Sequence, residues 1–398
     1  MGVYTKNMRK NIAVIFGGKS AEHDISIITA HVPIIDSLLV NGKFDVWPVY
    51  IAKGGSWYAD KAMNNLAFFK QDAWEEKVAK MKKIGLLFDN GLELVWPGLL
   101  SKKVKIDIVF PAMHGTYGED GSLMGLLRMA GAPFVGCDLA ASAVAMDKVL
   151  TKQVVAAEGM PVVPYVWFTR TEWKEDKETV LTKAKTLSMP VFVKPVHLGS
   201  SIGMTRVKNE KELLNAIEVA LHYDDKVLVE NAVEPLIEIT LPIMGNDKPR
   251  VAECERPLNK TEFFDFNDKY LANGKKSEGS GANSAYSEVP ANIDDDLSNK
   301  VKELGVRVYK ALGCAGIARV DFLIRADTKE MYVNEVNTLP GSLYHHNWKK
   351  AGVSNMELVL ELVRLAEDRF VRQKETTYTF HSDILQKVGS SGKVGLKV

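Results

Sequence analysis

A strand, a glycine pair and an amphipathic helix follow one another near the start of the chain. The β-rich run at residues 11–16 ends in Gly17 and Gly18, and apolar residues then recur at helical spacing from Ile25 to Val40. Residues 44–52 form a second β-rich run. Two strands joined by a helix predict a βαβ unit, in which the strands are parallel and belong to a buried sheet.

The same arrangement recurs further along the chain. Residues 106–112 are a continuous apolar run of the kind found in buried parallel strands, followed by the loop MHGTYGEDG and a helical pattern at 122–131. We therefore predict an N-terminal parallel-sheet α/β domain over residues 1–135. The intervening residues 60–100 are predicted to form an insertion with one short helix and a hairpin.

A central α+β subdomain is predicted over residues 136–231. A helix begins at Ala141 and is closed by Gly159 as its C-cap. Two strands are predicted further on, VFVKP at 191–195 and KVLVEN at 226–231.

A C-terminal subdomain is predicted over residues 232–372. It contains two strands around a turn at 326–328 and a polar loop at 268–287. Loops of this length in a compact domain are typically functional lids or disordered. The tail at 373–398, which contains Gly-Ser-Ser-Gly, is predicted to be poorly ordered.

Charge and cysteine content restrict the class of partner. The 51 basic residues nearly balance the 50 acidic ones, so no overall field attracts nucleic acid or an anionic membrane, and we expect a small-molecule partner. The three cysteines show no zinc-ligand spacing or disulfide framework, which fits a reducing cytoplasm. We find no signal peptide and no apolar run of about 20 residues that indicates a membrane span.

The two strands around residues 326–328 carry a polar face. Because side chains alternate along a strand, Arg319, Asp321 and Leu323 share one face, as do Glu335 and Asn337 on the partner strand. Two carboxylates and an amide oxygen are a ligand set that Mg²⁺ prefers when it also binds phosphate. A solvated polar face of an edge hairpin fits the same pattern, so neighbouring motifs must decide.

A lysine and a glycine-bounded serine pair follow the strand at 191–195. Backbone N–H groups around Ser200 and Ser201 can close over phosphate oxygens, and Lys194 supplies a fixed charge. The Walker A pattern is absent, and a Gly-Ser turn in a hairpin fits the same residues.

Two acids lie near the end of the central subdomain. Glu230 ends the strand KVLVEN, where a carboxylate can accept a hydrogen bond from an adenine amino group, and Glu238 can hold ribose hydroxyls. Both residues could equally be surface charges.

Acidic residues also follow the strands of the N-terminal domain. We expect Asp24, Glu119 and Asp120 to cap helices. Glu22 and His114 instead lie at the carboxyl ends of parallel strands, where open α/β sheets bind ligands, and for them we favour a site over a cap.

The order of these segments resembles the ATP-grasp superfamily and, within it, the D-alanine:D-alanine ligase family of cell-wall synthesis. The resemblance runs from about residue 11 to residue 366 and implies an ATP-grasp fold preceded by the α/β domain. Seven motifs occur in the family's order, namely FGGKSAEHDIS, HGTYGEDG, MDKVLTK, FVKPVHLGSSIGM, FFDFNDKYL, ARVDF and NEVNTLPG.

The resemblance implies a set of nucleotide and metal ligands. ATP would lie between the two subdomains, and two Mg²⁺ ions, with Mn²⁺ as a possible substitute, would be held by Asp321, Glu335 and Asn337. It places Lys148, Lys194, Ser201 and, in the lid loop, Lys269 on the phosphates. It places Glu230 and Val233 on adenine and Glu238 on the ribose, and Leu323 also belongs to the nucleotide site.

The resemblance also implies a reaction and its catalytic groups. The carboxylate of one D-alanine would attack the γ-phosphorus of ATP, and the amine of a second would attack the resulting D-alanyl phosphate. Glu22 would bind the first ammonium, and Arg319 with the Gly341 backbone would stabilise the oxyanion. His114 would lie close to the acyl group. Ser200 and Tyr270 would complete a hydrogen-bond triad with Glu22, and the family commonly forms homodimers.

The chain departs from the family pattern at three places. His346 stands where the family usually has a serine that holds the second substrate's carboxylate, Asn231 replaces a lysine, and the loop at 268–287 is longer than usual. The altered acceptor segment leaves open a sister ligase that uses D-lactate, D-serine or another acceptor. A hypothesis of another class is a nucleotide-binding regulatory module without catalysis.

Overall fold

A computed structural model describes residues 9–258, 287–382 and 384–387. The strands in this part of the chain are β1 (Lys10–Gly17), β2 (Phe44–Ile51), β3 (Trp57–Ala59), β4 (Gly85–Phe88), β5 (Leu92–Trp96), β6 (Lys102–Ile106), β7 (Ile108–Pro111), β8 (Tyr165–Thr169), β9 (Val191–Pro195), β10 (Thr205–Val207), β11 (Lys226–Asn231), β12 (Leu236–Gly245), β13 (Arg250–Val251), β14 (Arg256–Pro257), β15 (Ser287–Glu288), β16 (Gly316–Arg325) and β17 (Met331–Asn337).

The α-helices of the same residues are α1 (His23–Thr29), α2 (Asp36–Asn41), α3 (Trp74–Ala79), α4 (Ser122–Met129), α5 (Leu139–Met146), α6 (Lys148–Ala157), α7 (Arg170–Glu175), α8 (Lys177–Ala184), α9 (Glu210–Tyr223), α10 (Asp295–Ala311), α11 (His345–Lys350), α12 (Asn355–Lys374) and α13 (Ile384–Lys387). A π-helical segment, Ala30–Ile35, joins α1 to α2, and 3₁₀ turns lie at Lys61–Asn64, Leu66–Lys70 and Gly341–Tyr344.

The N-terminal sheet has the predicted parallel core. Its strand order is β3-β2-β1-β7, with β1 parallel to both β2 and β7 and β3 antiparallel to β2. One face packs on α1, α2 and α12, and the other packs on α4. The carboxyl ends of β1 and β7 therefore meet at one edge, next to the loops that carry Glu22 and His114.

The helix after β1 is continuous from His23 to Asn41 because the π segment bridges α1 and α2. Pro33 lies inside this segment, where its missing N–H removes one ordinary helical hydrogen bond. The 19 residues are long and apolar enough by composition to cross a membrane, although no such run was predicted from the sequence. However, 61% of the apolar window is buried inside the protein. Ile34, Ile35 and Leu38 are fully buried in the N-terminal core, so this is a core helix.

The insertion at 60–100 contains the predicted short helix, α3, and the predicted hairpin, formed by β4 and β5. A third strand, β6, follows the insertion and pairs with β5, so the hairpin is part of a three-stranded antiparallel sheet. The third strand was missed because Lys102, Lys103 and Lys105 give it an exposed, charged face instead of an apolar pattern.

The predicted helix from Ala141 to Gly159 is wrong at its centre. Asp147 has an extended backbone and separates α5 from α6. Its Oδ1 accepts hydrogen bonds from the N–H groups of Val149 and Leu150, at 2.8 and 2.9 Å, and so caps a second helix. The end of the prediction holds, because Gly159 follows α6 with the left-handed φ of +67° typical of a helix end.

Three antiparallel sheets make up the rest of the described fold, and the smallest of them is the pair β14-β15. The central sheet has the order β10-β9-β11-β8, and the C-terminal sheet has the order β13-β12-β16-β17. Strands β9 and β11 have the predicted bounds. Helices α9 and α10 pack on the central and C-terminal sheets respectively, so two α+β layers follow the α/β domain. Most of the polar loop predicted at 268–287 lies outside the described residues, as do 383 and 388–398 of the tail.

Candidate active site

The polar face predicted for β16 and β17 exists. Arg319 is paired with Asn337 and Asp321 with Glu335 across the two antiparallel strands, and a β-bulge follows Asp321. Leu323 continues the same face and is paired with Glu238 on β12. These side chains point away from the core of the C-terminal sheet, in which Val320 and Phe322 are fully buried.

An ion pair joins Arg319 to Asp321. The Nε and Nη2 atoms of Arg319 donate to the two carboxylate oxygens of Asp321, at 2.7 and 2.5 Å, and both side chains are almost completely buried. Burial would lower the pKa of Arg319, but Asp321 and then Tyr344 and Glu335 raise it well above its usual range. The guanidinium therefore remains charged.

The acidic face meets a lysine of the central subdomain. The Nζ of Lys148, at the start of α6, lies 3.6 Å from Oε2 of Glu335 and donates to the carbonyl of Leu198 at 2.6 Å. The amide oxygen of Asn337 accepts the Leu339 N–H at 3.1 Å, which fixes that side chain. Two carboxylates and an amide oxygen on one face, beside fixed cationic groups, are a donor set that fits Mg²⁺ bound to phosphate.

A buried charge cluster is centred on Glu230. The carboxylate of Glu230 is 2.7 Å from Nζ of Lys152 and 2.5 Å from Nζ of Lys194, and all three side chains are nearly inaccessible. Burial alone would raise the pKa of Glu230, but the two ammonium groups lower it to about 2. Burial also opposes charging of Lys194, yet Glu230 raises its pKa overall. Glu230 is thus no surface charge.

Lys152 is a member of this cluster that was not predicted from the sequence. Its pKa is lowered by burial, an effect that Glu230 opposes. It lies four residues after Lys148 in MDKVLTK, and two lysines at that spacing share one face of a helix. That spacing was a usable signal, because Lys152 lies on the buried side of α6 with Val149 and Val155, whereas Leu150 and Gln153 on the other side are exposed.

The glycine-serine loop reaches the N-terminal domain. The hydroxyl of Ser200 donates to Oε1 of Glu22 at 2.5 Å. Ser200 and Ser201 have left-handed φ angles of +54° and +58°, which are costly for residues with a side chain and turn the loop sharply. Tyr270, the third member of the predicted triad, and Lys269 lie outside the described residues.

His114 is buried close to Glu22. Its Nε2 lies 2.9 Å from Oγ1 of Thr29, which also accepts the Ser342 N–H at 3.0 Å. Burial lowers the pKa of His114, although Glu22 opposes this shift. Thr29 therefore links the loop after β7 to the segment after β17, a bridge that the sequence did not reveal.

Glu119 does not cap α4, as had been expected. It accepts the N–H of Gly115 at 2.7 Å inside its own loop. Burial, and then the Glu22 carboxylate, raise the pKa of Glu119 to about 8. Asp120 does accept the Ser122 N–H at 2.9 Å, at the first residue of α4, so of these two acids only Asp120 caps this helix.

The segment after Pro340 has a strained backbone. Ser342, Leu343 and Tyr344 have φ angles of +48°, +54° and +48°, a conformation that residues with side chains rarely adopt in succession. The conformation places the Tyr344 ring 4.8 Å from the Arg319 guanidinium, and Nη1 of Arg319 donates to the phenol oxygen at 3.0 Å. Gly341 starts this turn.

His346 is half-exposed and faces an acid. Its Nε2 lies 2.9 Å from Oε2 of Glu255, whose carboxyl group is almost buried. Burial would raise the pKa of Glu255, but His346 lowers it. Glu255 lies 91 residues before His346 in the chain, and neither Glu255 nor Tyr344 carried a sequence signal.

The other residues predicted to bind the nucleotide lie in four places. Glu238 and Leu323 are cross-strand neighbours, Val233 is buried just after β11, and Ser201 is exposed in its loop.

Short contacts bring together four pairs of predicted site residues, which are Glu22 with Ser200, Lys148 with Glu335, Lys194 with Glu230, and Arg319 with Asp321.

Two family models match the chain, one over its N-terminal domain and one over its C-terminal part. The family described as D-ala D-ala ligase N-terminus matches residues 11–137, and the family described as D-ala D-ala ligase C-terminus matches residues 154–364. The chain is 36% identical to the D-alanine--D-alanine ligase of Natranaerobius thermophilus, with 92% of this chain and 96% of the relative covered. It is 37% identical to that of Acetivibrio thermocellus, with 91% and 97% covered.

Two solved structures have a similar fold. The VanG D-Ala:D-Ser ligase of Enterococcus faecalis superposes with a TM-score of 0.76 at 32% identity, covering 90% of this chain and 100% of that one. The D-alanine-D-alanine ligase of Coxiella burnetii also gives a TM-score of 0.76, at 29% identity and with 92% and 96% covered.

Proposed function

The chain belongs to the D-alanine--D-alanine ligase family, and we propose that it joins two D-alanines through a D-alanyl phosphate, using ATP, to make a peptidoglycan precursor. One contact in the structure of this chain supports the proposal most directly. The 3.6 Å contact between Lys148 and Glu335 joins a cationic phosphate site to an acidic metal site. Phosphoryl transfer needs both charges in one place.

ATP would lie between the central and C-terminal sheets. Lys148, Lys194 and the loop at Ser200 and Ser201 would bind the phosphates, to which they would offer ammonium groups and backbone N–H groups. The backbone near Val233 would receive adenine beside Glu230, whose carboxylate would have to share its contacts with Lys152 and Lys194 to accept the amino group. Glu238 with Leu323 would contact the ribose. Lys269 would reach the γ-phosphate from the lid loop.

Asp321, Glu335 and Asn337 would hold Mg²⁺, with two ions expected and Mn²⁺ as a substitute. The metal supplies positive charge that neutralises the phosphate oxygens during transfer. Arg319 already occupies both oxygens of Asp321, so it would have to share that carboxylate when metal binds. The pair keeps Asp321 charged and oriented in the meantime.

The chemistry then proceeds by two displacements. The carboxylate oxygen of the first D-alanine attacks the γ-phosphorus, and ADP leaves. The uncharged amine of the second D-alanine attacks the acyl carbon, and the carbon–oxygen bond to phosphate breaks. Glu22 would bind the first ammonium, with His114 near the acyl group. Arg319 and the Gly341 N–H would stabilise the tetrahedral oxyanion.

Ser200 orients Glu22 through its 2.5 Å hydrogen bond. Tyr270 would join this pair when the lid loop closes, which would exclude water from the acyl phosphate. The proposed division of the chain is 1–135 for the first D-amino acid, 136–231 and 232–372 for ATP and metal, and 373–398 as a tail.

We further propose a cytoplasmic homodimer. Ile28, Val32 and Leu39 are each more than 40% exposed along the solvent side of the helix from His23 to Asn41. Residues at these spacings lie on one face of a helix, so they form an apolar stripe suited to pairing with a second copy.

Two observations support the alternative that the second substrate is not D-alanine. His346 and Glu255 form a pair beside Arg319 and Tyr344, and the VanG relative is a D-Ala:D-Ser ligase. An imidazole that donates Nε2–H to Glu255 can offer Nδ1–H to a carboxylate when it is protonated. We propose that His346 binds the carboxylate of the second amino acid.

Replacing His346 by alanine is expected to raise the KM of the second D-alanine roughly tenfold, which corresponds to the loss of one charged hydrogen bond. The KM values of the first D-alanine and of ATP should change little. Steady-state rates over a wide D-alanine range separate the two KM values. Lys349→Ala, an exposed change on the same helix, is the control. An unchanged second KM in His346→Ala would remove this histidine from the acceptor site.

Purified protein given ATP, Mg²⁺ and D-alanine, with and without D-serine or D-lactate, tests the proposed function. Dipeptide and phosphate from D-alanine alone support it, whereas phosphate release that requires another acceptor establishes the sister activity instead. The regulatory alternative predicts tight ATP binding with no product, and no effect of Asp321→Ala on any turnover.

A further inference from the structure

The imidazole of His197 lies between two carboxylates from different elements. Its Nδ1 is 3.0 and 3.1 Å from the two oxygens of Asp224, and its backbone N–H donates to Asp224 at 2.7 Å. Its Nε2 lies 3.3 Å from Oδ2 of Asp147. His197 follows β9 and begins the glycine-serine loop, so this ring ties the loop to two other segments.

Each carboxylate is itself fixed by further contacts. Asp147 caps α6 through its Oδ1 and receives the ammonium of Lys226 on Oδ2 at 2.8 Å. Asp224 lies at the end of α9 and accepts the N–H of Asp225 at 2.7 Å. The His197 ring is therefore held at both nitrogens, at the point where the glycine-serine loop begins.

His197 is charged under ordinary conditions. Hydrogen bonds that its ring donates, first to Asp147 and then to Asp224, raise the pKa of His197 to about 9, although burial opposes this. A charged ring donates both N–H groups, and the two carboxylates can accept them. The charged residues around the ring, from the elements packed against it, are Asp147 and Lys148 at the start of α6, Arg170 on α7, and Asp224, Asp225 and Lys226 between α9 and β11.

These residues do not need a metal to explain their arrangement. His197, Asp224 and Asp225 bring three ligand atoms within 4.8 Å of one another. Both ring nitrogens of His197, however, already face carboxylates, and the Lys226 ammonium lies on Asp147. The charges balance as an ion-pair cluster.

We propose that His197 is a positioning residue that fixes Lys148 and the glycine-serine loop as one phosphate-binding unit. Lys148 is the first residue of the helix that Asp147 caps, and its Nζ donates to the carbonyl of Leu198, directly after His197. Two residues further on, Ser200 holds Glu22. His197 thus acts on the nucleotide through Lys148 and on the first substrate through Ser200, without touching either.

The inference rests on the proposed function, because the readout is the binding of ATP by the ligase. Replacing His197 by glutamine removes the charge and one of the two N–H donors. The KM of ATP should rise at pH 7.5 by about tenfold, a size seen when a partner that orients a binding group is lost. The KM of the second D-alanine should not change, since its site is on another segment.

A cationic replacement separates charge from shape. His197→Arg keeps a positive charge between the two carboxylates and should retain most of the ATP affinity. His222→Gln is the matched control, because His222 is an exposed histidine on α9 of the same subdomain. Circular dichroism and thermal unfolding establish that each variant is folded before its kinetics are compared.

The dependence of the ATP KM on pH tests whether the charge on the His197 imidazole is responsible. Because the pKa of His197 in the fold is about 9, the ring of the folded protein is charged below about pH 8 and loses its charge as pH rises through 9. The KM of ATP in the unaltered protein should therefore rise between about pH 8 and pH 10. In His197→Arg the KM should stay low across this range, and in His197→Gln it should be high throughout.

The possible outcomes are distinct. A protein that makes no product with any acceptor contradicts the proposed function and leaves nothing for His197 to position. An active protein in which His197→Gln keeps the ATP KM and the alkaline rise of the unaltered protein overturns the positioning role. Equal losses in the glutamine and arginine variants also overturn it, because they would show that the ring's shape matters and its charge does not.

Discussion

Replacing Glu335 by glutamine is expected to lower kcat by about a thousandfold, the size of the several kcal/mol that a bound metal contributes to phosphoryl transfer. Glu335 is a proposed Mg²⁺ ligand, paired with Asp321 across β16 and β17. The amide keeps the shape of the side chain but removes the charge that binds metal and faces Lys148. Coupled detection of ADP over a series of Mg²⁺ concentrations measures both the rate and the metal requirement.

Glu330→Gln provides the matched control for this change. Glu330 is an exposed acid next to the first residue of β17, on the same strand pair but distant from the acidic face. It should leave kcat and the Mg²⁺ dependence unaltered. Because the Glu335 side chain is 30% exposed, its replacement should not unfold the protein. Full activity in Glu335→Gln would place the metal elsewhere.

Replacing Glu230 by glutamine is expected to lower the free energy of unfolding by about 3–5 kcal/mol, since it leaves two buried ammonium groups without a counter-charge. Lys152 and Lys194 lie 2.7 and 2.5 Å from this carboxylate in a site with almost no access to water. Chemical denaturation without nucleotide measures the effect separately from ATP binding.

Lys152→Met tests the same cluster from the other side. It removes one of two cations and leaves Glu230 paired with Lys194, so it should destabilise the protein less than Glu230→Gln. Glu218→Gln, which breaks the exposed pair with Lys177, should change stability by no more than about 0.5 kcal/mol. A loss in Glu230→Gln no larger than that of this surface control would show that the cluster is not a buried ion triple.

Much of the fold follows from local patterns in the sequence. The strands at 191–195 and 226–231 have the bounds that their apolar runs predict, and the alternation around Asp321 and Glu335 places their side chains on one face. The βαβ unit is parallel because a crossover helix links its strands. Periodicity alone carries this information, since it depends on neighbouring residues only.

Other features depend on side chains that only the fold brings together. Asp147 breaks a continuous apolar pattern because its carboxylate caps the next helix, and the pattern itself gives no sign of the break. Glu255 meets His346 across 91 residues, and Thr29 joins His114 to Ser342. Tyr344 reaches Arg319 through three left-handed residues that no turn motif predicted. Tertiary packing sets these contacts.

The proposed site is assembled from three parts of the chain, and it brings a group of lysines next to a group of acids. The N-terminal domain contributes Glu22 and His114, the central sheet contributes lysines, and the C-terminal sheet contributes acids and Arg319. A hydrogen bond from Ser200 to Glu22 crosses one boundary, and a 3.6 Å ion pair between Lys148 and Glu335 crosses the other. Such an arrangement suits a reaction in which one substrate is phosphorylated and then attacked by another.

The most direct measurement follows oxygen from D-alanine into phosphate. The protein is given ATP, Mg²⁺ and D-alanine labelled with oxygen-18 in its carboxylate, and the released phosphate is analysed by mass spectrometry. An acyl phosphate intermediate transfers one labelled oxygen to each phosphate released with a dipeptide. Unlabelled phosphate alongside dipeptide would contradict the proposed mechanism. In a second experiment with unlabelled D-alanine and oxygen-18 water, label in the phosphate would identify ATP hydrolysis instead.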